Sequence, residues 1–135
     1  MADPYPTCWL NGEYLPLAEA RVSPLDRGFL FGDGVYEVIP VYSRQPFRLA
    51  QHLARLQQSL DGIQLANPHR RDEWIGFVTQ LAKEAEWEDQ SIYIQVTRGP
   101  MAVRNHAFPK QILPTVVVLA EPLMADAADR ILHEQ

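Results

Sequence analysis

The sequence predicts an α+β domain of two layers, an antiparallel β-sheet with two helices packed on one side. Three observations carry this. Strand-like stretches lie toward both ends of the chain, two consecutive stretches of helical period lie between them, and an Asn-Gly pair near the start marks a tight hairpin. At 135 residues, 47% hydrophobic and 21% charged, the chain is long enough for one domain with its own core.

Taken in order, Met1 to Pro6 reads as frayed. Cys8-Trp9-Leu10 and Glu13-Tyr14-Leu15 flank Asn11-Gly12, whose tolerance of positive φ suits a type I′ turn. Pro16 to Ser23 reads as an extended link. It leads into Ser23-Pro24-Leu25-Asp26-Arg27-Gly28-Phe29-Leu30-Phe31-Gly32-Asp33-Gly34, where closely spaced glycines predict a compact turn feeding the run Val35 to Tyr42. Such a turn sets Tyr36 at a sheet margin, able to face a ligand, although a plain glycine turn before a strand fits equally well. Pro40 lacks an amide donor, so this strand is an edge, or Pro40 sits at a bulge or on an unpaired side. After a turn at Ser43-Arg44-Gln45, Pro46 to Leu49 returns as a short partner strand.

The period then changes. Leu49, Leu53, Leu56, Leu60 and Ile63 form one buried helical face, with His52, Arg55 and Ser59 on another, until Gly62 and Asn67-Pro68 interrupt. A second helix from about Asp72 carries Trp74, Phe77, Val78, Leu81, Ala82 and Ala85, and its acidic start suits the positive end of the helix dipole. Gln90 to Arg98 alternates, with Ile92, Ile94 and Val96 on one face and Tyr93, Gln95 and Thr97 on the other. Gly99 to Pro109 reads as an exposed loop. Ile112 to Ala120 is the last strand, apolar on both faces and so central. Ala125 to Gln135 begins something helical or extended and stops without a capping or turn signal.

The formal net charge of −5 and the absence of any basic run leave no general attraction for nucleic acid or anionic membranes. No apolar run approaches the roughly 20 residues of a membrane helix. A lone cysteine, Cys8, and no signal-peptide pattern lead us to expect a cytoplasmic protein. The four histidines are scattered, so no metal site is expected, and phosphate-loop and nucleophile-elbow motifs are absent. What remains suits anions. Arg104 and His106, two apart, project to one side of an extended loop and with a tyrosine hydroxyl could hold a carboxylate; taken alone, they read first as a mobile, solvated pair. Arg55 suits a phosphate dianion or an ordinary surface ion pair.

Several motifs in register narrow these alternatives. Asp26-Arg27-Gly28, Phe31-Gly32-Asp33-Gly34-Val35-Tyr36-Glu37, His52-Leu53-x-Arg55-Leu56, Gln95-Val96-Thr97-Arg98-Gly99 and Arg104-x-His106-x-Phe108-Pro109 together resemble the amino-terminal domain of class IV (fold-type IV) pyridoxal-phosphate enzymes. Within that family the D-amino-acid aminotransferases are the nearest, and the resemblance spans about Trp9 to Ala120. It implies that Arg55 binds the phosphate of pyridoxal 5′-phosphate, that Tyr36 lines the substrate pocket and bonds the substrate carboxylate, and that Arg104 and His106 complete a carboxylate trap in the neighbouring subunit of a homodimer. The implied reaction moves an amino group from a D-amino acid to a 2-oxo acid. Branched-chain aminotransferases and aminodeoxychorismate lyases share the Gly-Asp-Gly and His-x-x-Arg-Leu segments but generally not the Arg-x-His pair. Pro40 and Asn105 depart from the pattern in detail.

The larger departure concerns lysine. The family's Schiff-base lysine comes from a second, larger domain, and here only Lys83 and Lys110 occur, neither at a matching place. The expectation is therefore a small amino-terminal domain over 1–122, the start of an interdomain linker over 123–135, no large catalytic domain, no catalytic residue, and no activity alone. The rival from another class is a non-catalytic binding or dimerisation module.

Overall fold

The computed structural model describes residues 7–101 and 112–123. Its strands are β1 (Cys8–Leu10), β2 (Glu13–Leu15), β3 (Gly34–Tyr42), β4 (Gln45–Pro46), β5 (Gln90–Thr97) and β6 (Thr115–Pro122), and its helices are α1 (Arg27–Phe31), α2 (Leu49–Gly62) and α3 (Arg71–Glu84). The strands form one antiparallel sheet in the order β2-β1-β6-β5-β3-β4. The two long helices follow one another between β4 and β5, as the two stretches of helical period require.

Alternation along the strands decides which face the helices cover. Ile39, Val41, Ile92, Ile94, Val96, Val116 and Val118 point to one side and are buried with Leu53, Leu56 and Leu60 of α2 and Trp74, Val78 and Leu81 of α3. Each aliphatic side chain so enclosed stabilises the fold by roughly 1.5–3 kcal/mol relative to exposure. Trp9 joins this core from β1, stacked on Phe77 of α3 with ring centroids 4.0 Å apart. β6 lies between β1 and β5, so its central position follows from its apolar run.

The Asn-Gly hairpin forms as expected, with positive φ at Asn11 (50°) and Gly12 (104°). Pro40 resolves in favour of the unpaired side. Its carbonyl accepts a hydrogen bond from Phe47 N at 2.8 Å. In an antiparallel ladder a residue's N and C=O face the same neighbour, so the missing donor faces the β4 rim and no bond to β5 is lost.

Four boundaries differ from expectation. The glycine stretch contains a short helix, α1, rather than a simple turn, because Asp26 caps it and Gly32 ends it. The link Pro16 to Ser23 contains a 3-10 turn over Leu17–Glu19. The return strand is only Gln45–Pro46, since Leu49 already begins α2. The last strand starts at Thr115, after Pro114, and runs on to Pro122. Met1 to Pro6 and the segment from Ala125 lie outside the described residues.

Candidate functional site

Asp26 accepts a hydrogen bond from Gly28 N at 2.8 Å and another from Thr115 Oγ1, fixing α1 against β6. Gly28 must be glycine for a steric reason: a Cβ there would sit 2.3 Å from Thr97 Cγ2. Gly32 adopts the left-handed conformation (φ 64°) that lets the chain leave α1, and its N–H bonds back to Arg27 and Gly28 carbonyls. Asp33 then receives Arg27 Nε and Arg98 Nε on the same oxygen, each at 2.8 Å, and Arg98 also donates to the Ile63 carbonyl at the end of α2. Burial pushes the Asp33 carboxyl up, but the hydrogen bonds from Arg98 and Arg27 outweigh it and hold the pKa below the usual carboxylate range. The start of β3 is thereby tied to β5, β6 and α2.

From this anchor β3 sends Tyr36 and Glu37 to opposite faces. Glu37 occupies a helix-facing position in line with Ile39 and Val41, and its side chain is 4% exposed. A carboxylate there requires partners, and α2 supplies two from positions one turn apart. His52 Nδ1 lies 2.8 Å from Glu37 Oε1, while Arg55 donates Nε to Oε2 at 2.9 Å and to Oε1 at 3.1 Å, and Nη2 to Oε1 at 2.9 Å. Burial again acts to raise the Glu37 pKa, and the bonds from Arg55 and His52 reverse it, so the carboxylate is ionised and the His52 nitrogen is the donor.

Arg55 is not enclosed by this grip. Its side chain is 64% exposed, and its Nη1 makes no hydrogen bond among the described residues. With Arg48, Gln51 and His52 it lines a surface concavity of about 240 Å³. Hydrogen bonding to Glu37 raises the Arg55 pKa, and Tyr36 is a smaller contributor, which places the phenol within electrostatic reach.

Tyr36 stands on the face that the helices leave open. It is 63% exposed and stacks on Tyr93 of β5 with centroids 5.8 Å apart and planes 24° from parallel. Tyr93 is fixed in turn by a 2.9 Å bond from its hydroxyl to Gln95. Phe29 and Val38 are exposed nearby in sequence, and a concavity of about 380 Å³ on this side is lined in part by Gly28, Phe29, Gln95, Thr97 and Val117.

Of the residues predicted from sequence, Tyr36 and Arg55 therefore emerge around the beginning of β3, one on each face. Arg104, His106 and Lys110 lie outside the described residues. Lys83 is in the last turn of α3 and exposed. No group of three potential metal ligands is found among the described residues. Sequence reasoning missed Glu37. Its signal was present, since it is the acidic member of the odd-numbered series Val35, Glu37, Ile39, Val41 that faces the helices.

The fold and these motif positions define a class of protein. Residues 34–132 match the family model for amino-transferase class IV, and the chain belongs to that family. It is 40% identical over 114 residues to D-alanine aminotransferase of Staphylococcus haemolyticus, covering 84% of this chain and 40% of that protein. Among solved structures its fold resembles a branched-chain amino acid aminotransferase determined with pyridoxamine 5′-phosphate (TM-score 0.80, 24% identity, 90% of this chain and 41% of that one). It also resembles 4-amino-4-deoxychorismate lyase from Pseudomonas aeruginosa (TM-score 0.71, 25% identity, 87% and 40%). The chain thus spans about two-fifths of the length of the curated relatives it matches.

Proposed function

We propose that this chain forms the phosphate-binding and substrate-facing wall of a pyridoxal-phosphate-dependent D-amino-acid aminotransferase. One observation carries the reading: within a class IV aminotransferase chain, Arg55 and Tyr36 are both solvent-facing and both held in place, around the start of one strand. The residues fit the cofactor's phosphate end. Arg55, with Arg48 and His52 around a shared concavity, offers the positive charge that a phosphate dianion requires, and Glu37 is already committed to Arg55 and His52. Pyridoxal phosphate, when bound, supplies the aldehyde that takes up the amino group and the ring that accepts electron density.

The roles of the chain's own side chains follow from their chemistry. Arg55 binds phosphate oxygens as an always-charged donor. Tyr36, kept upright by Tyr93, closes one side of the substrate pocket and donates its hydroxyl to the substrate carboxylate. Arg104 and His106, from the neighbouring subunit of a homodimer, complete that carboxylate site and favour D-amino acids. No lysine among these residues matches the family's aldehyde-holding one, so the 135 residues alone are inactive and the reaction takes place in a protein that has the relatives' remaining length.

The test is amino transfer to 2-oxoglutarate by such a protein, with D-alanine and L-leucine as competing donors and aminodeoxychorismate as a lyase substrate. D-alanine is the expected donor, and turnover confined to L-leucine or to aminodeoxychorismate would select one of the sibling activities. An Arg104→Ala variant should raise the KM for D-alanine tenfold or more, since a hydrogen bond to a charged group is worth about 1.5–3 kcal/mol. An unchanged KM removes Arg104 from the site.

A further inference from the structure

We propose that Glu37 is the positioning residue of the phosphate site: by gripping one edge of Arg55, it presets the other edge as the donor for a phosphate monoester dianion. The inference rests on the reading that Arg55 takes the phosphate, and adds to it a residue that never touches the ligand.

The geometry assigns the parts. A guanidinium has two usable edges, and the Nε/Nη2 edge of Arg55 is consumed by both oxygens of Glu37 at 2.9–3.1 Å. That bidentate contact fixes the plane of an otherwise flexible side chain that is largely exposed, and it leaves Nη1 with hydrogen-bonding capacity to spare. His52 holds the carboxylate from the other side: its Nδ1 donates to the ionised Glu37, which helps fix Glu37 in the place where it grips Arg55. Arg55 and His52 line the same concavity, together with Arg48, which adds charge, and Gln51. Glu37 itself is almost wholly enclosed on the helix side of β3, where an apolar residue would pack at less desolvation cost. Orienting the exposed edge of Arg55 toward an anion accounts for a carboxylate in that position.

Positioning and simple electrostatics act with opposite sign on anion binding here. Removing a negative charge beside a cationic site should tighten anion binding; removing a positioning residue should weaken it. The experiment titrates the 135-residue chain with inorganic phosphate while following the Arg Nε–H signals by NMR, for the wild type, Glu37→Gln and Arg55→Ala. We expect saturable wild-type binding, its loss in Arg55→Ala, and a Kd raised roughly tenfold in Glu37→Gln, by analogy with the loss of a partner that orients a metal-ligating side chain. If Arg55→Ala abolishes binding while Glu37→Gln binds as tightly as wild type or tighter, the positioning role is overturned and the phosphate reading stands. If Arg55→Ala binds normally, or the wild type gives no saturable response, both fail. Should Glu37→Gln not fold, Glu37→Asp keeps the charge but draws the carboxylate back by one methylene. The same weakening is expected there, and an unchanged Kd overturns the proposal.

Discussion

Two clusters in this domain are built from one carboxylate and two bases, yet they differ in what they leave over. Asp33 is held between Arg27 and Arg98, whose side chains are 4% and 1% exposed, so the charge of the trio is enclosed with the carboxylate. Glu37 is buried as deeply as those arginines, but one of its two partners, Arg55, reaches out to solvent. The first cluster ties α1, β3, β5 and the end of α2 together. The second turns the same kind of bonding outward and holds a base in readiness. Exposure of the cation, rather than the presence of an ion pair, separates a structural cluster from a candidate binding site.

Mutation should separate the clusters most strongly through stability. Asp33→Ala leaves two enclosed guanidinium groups without their shared carboxylate, and the cost should be about 3–5 kcal/mol in urea-unfolding free energy. A loss below about 1 kcal/mol would mean that Arg27 and Arg98 are compensated by their other contacts. Glu37→Gln should cost less, about 1–2 kcal/mol, because Arg55 can turn to water and Gln retains hydrogen-bonding atoms. Equal losses at the two positions would abolish the distinction drawn between them.

The smallest effect is expected in acid. Both carboxylates have folded pKa values below their ordinary ones, so the native state holds its protons less tightly than the unfolded chain. Their contribution is complete above the unfolded carboxylate range of about pH 4 and is lost as pH falls through the lowered folded values. Unfolding free energy measured across that range should therefore fall less steeply in Glu37→Gln than in the wild type. Parallel curves would show that Glu37 gains nothing from its partners in the folded state.

The sequence makes the periodic parts of this architecture readable and leaves the long-range pairings hidden. Leu53, Leu56 and Leu60 recur at helical spacing, and Ile92, Ile94 and Val96 alternate, because burial imposes those periods on any chain. α1 escapes that logic, since a helix of five residues that includes Gly28 is too short to show a helical face. The contact of Arg98 with Asp33 joins residues far apart in the chain, which no local pattern records. Tyr36 and Arg55 are legible through motif spacing, but their bonding is not: Arg55 suits a phosphate or an ion pair, and the structure shows the ion pair with an edge to spare. Glu37 sits inside a motif that hides its role, and only its phase with Ile39 and Val41 marks it as helix-facing.

Pro40 and the brevity of the outer strands have a consequence beyond topology. A sheet with one face uncovered by its own helices, bearing Tyr36, Val38 and Tyr42, risks recruiting further strands along its rims into an extended aggregate. Here one rim is a strand of three residues and the other a strand of two that includes Pro46, with Pro40 on β3 offering no N–H toward that side. Growth by strand addition is frustrated at both ends of the sheet. The exposed apolar face can thus await a packed surface while its rims resist polymerisation.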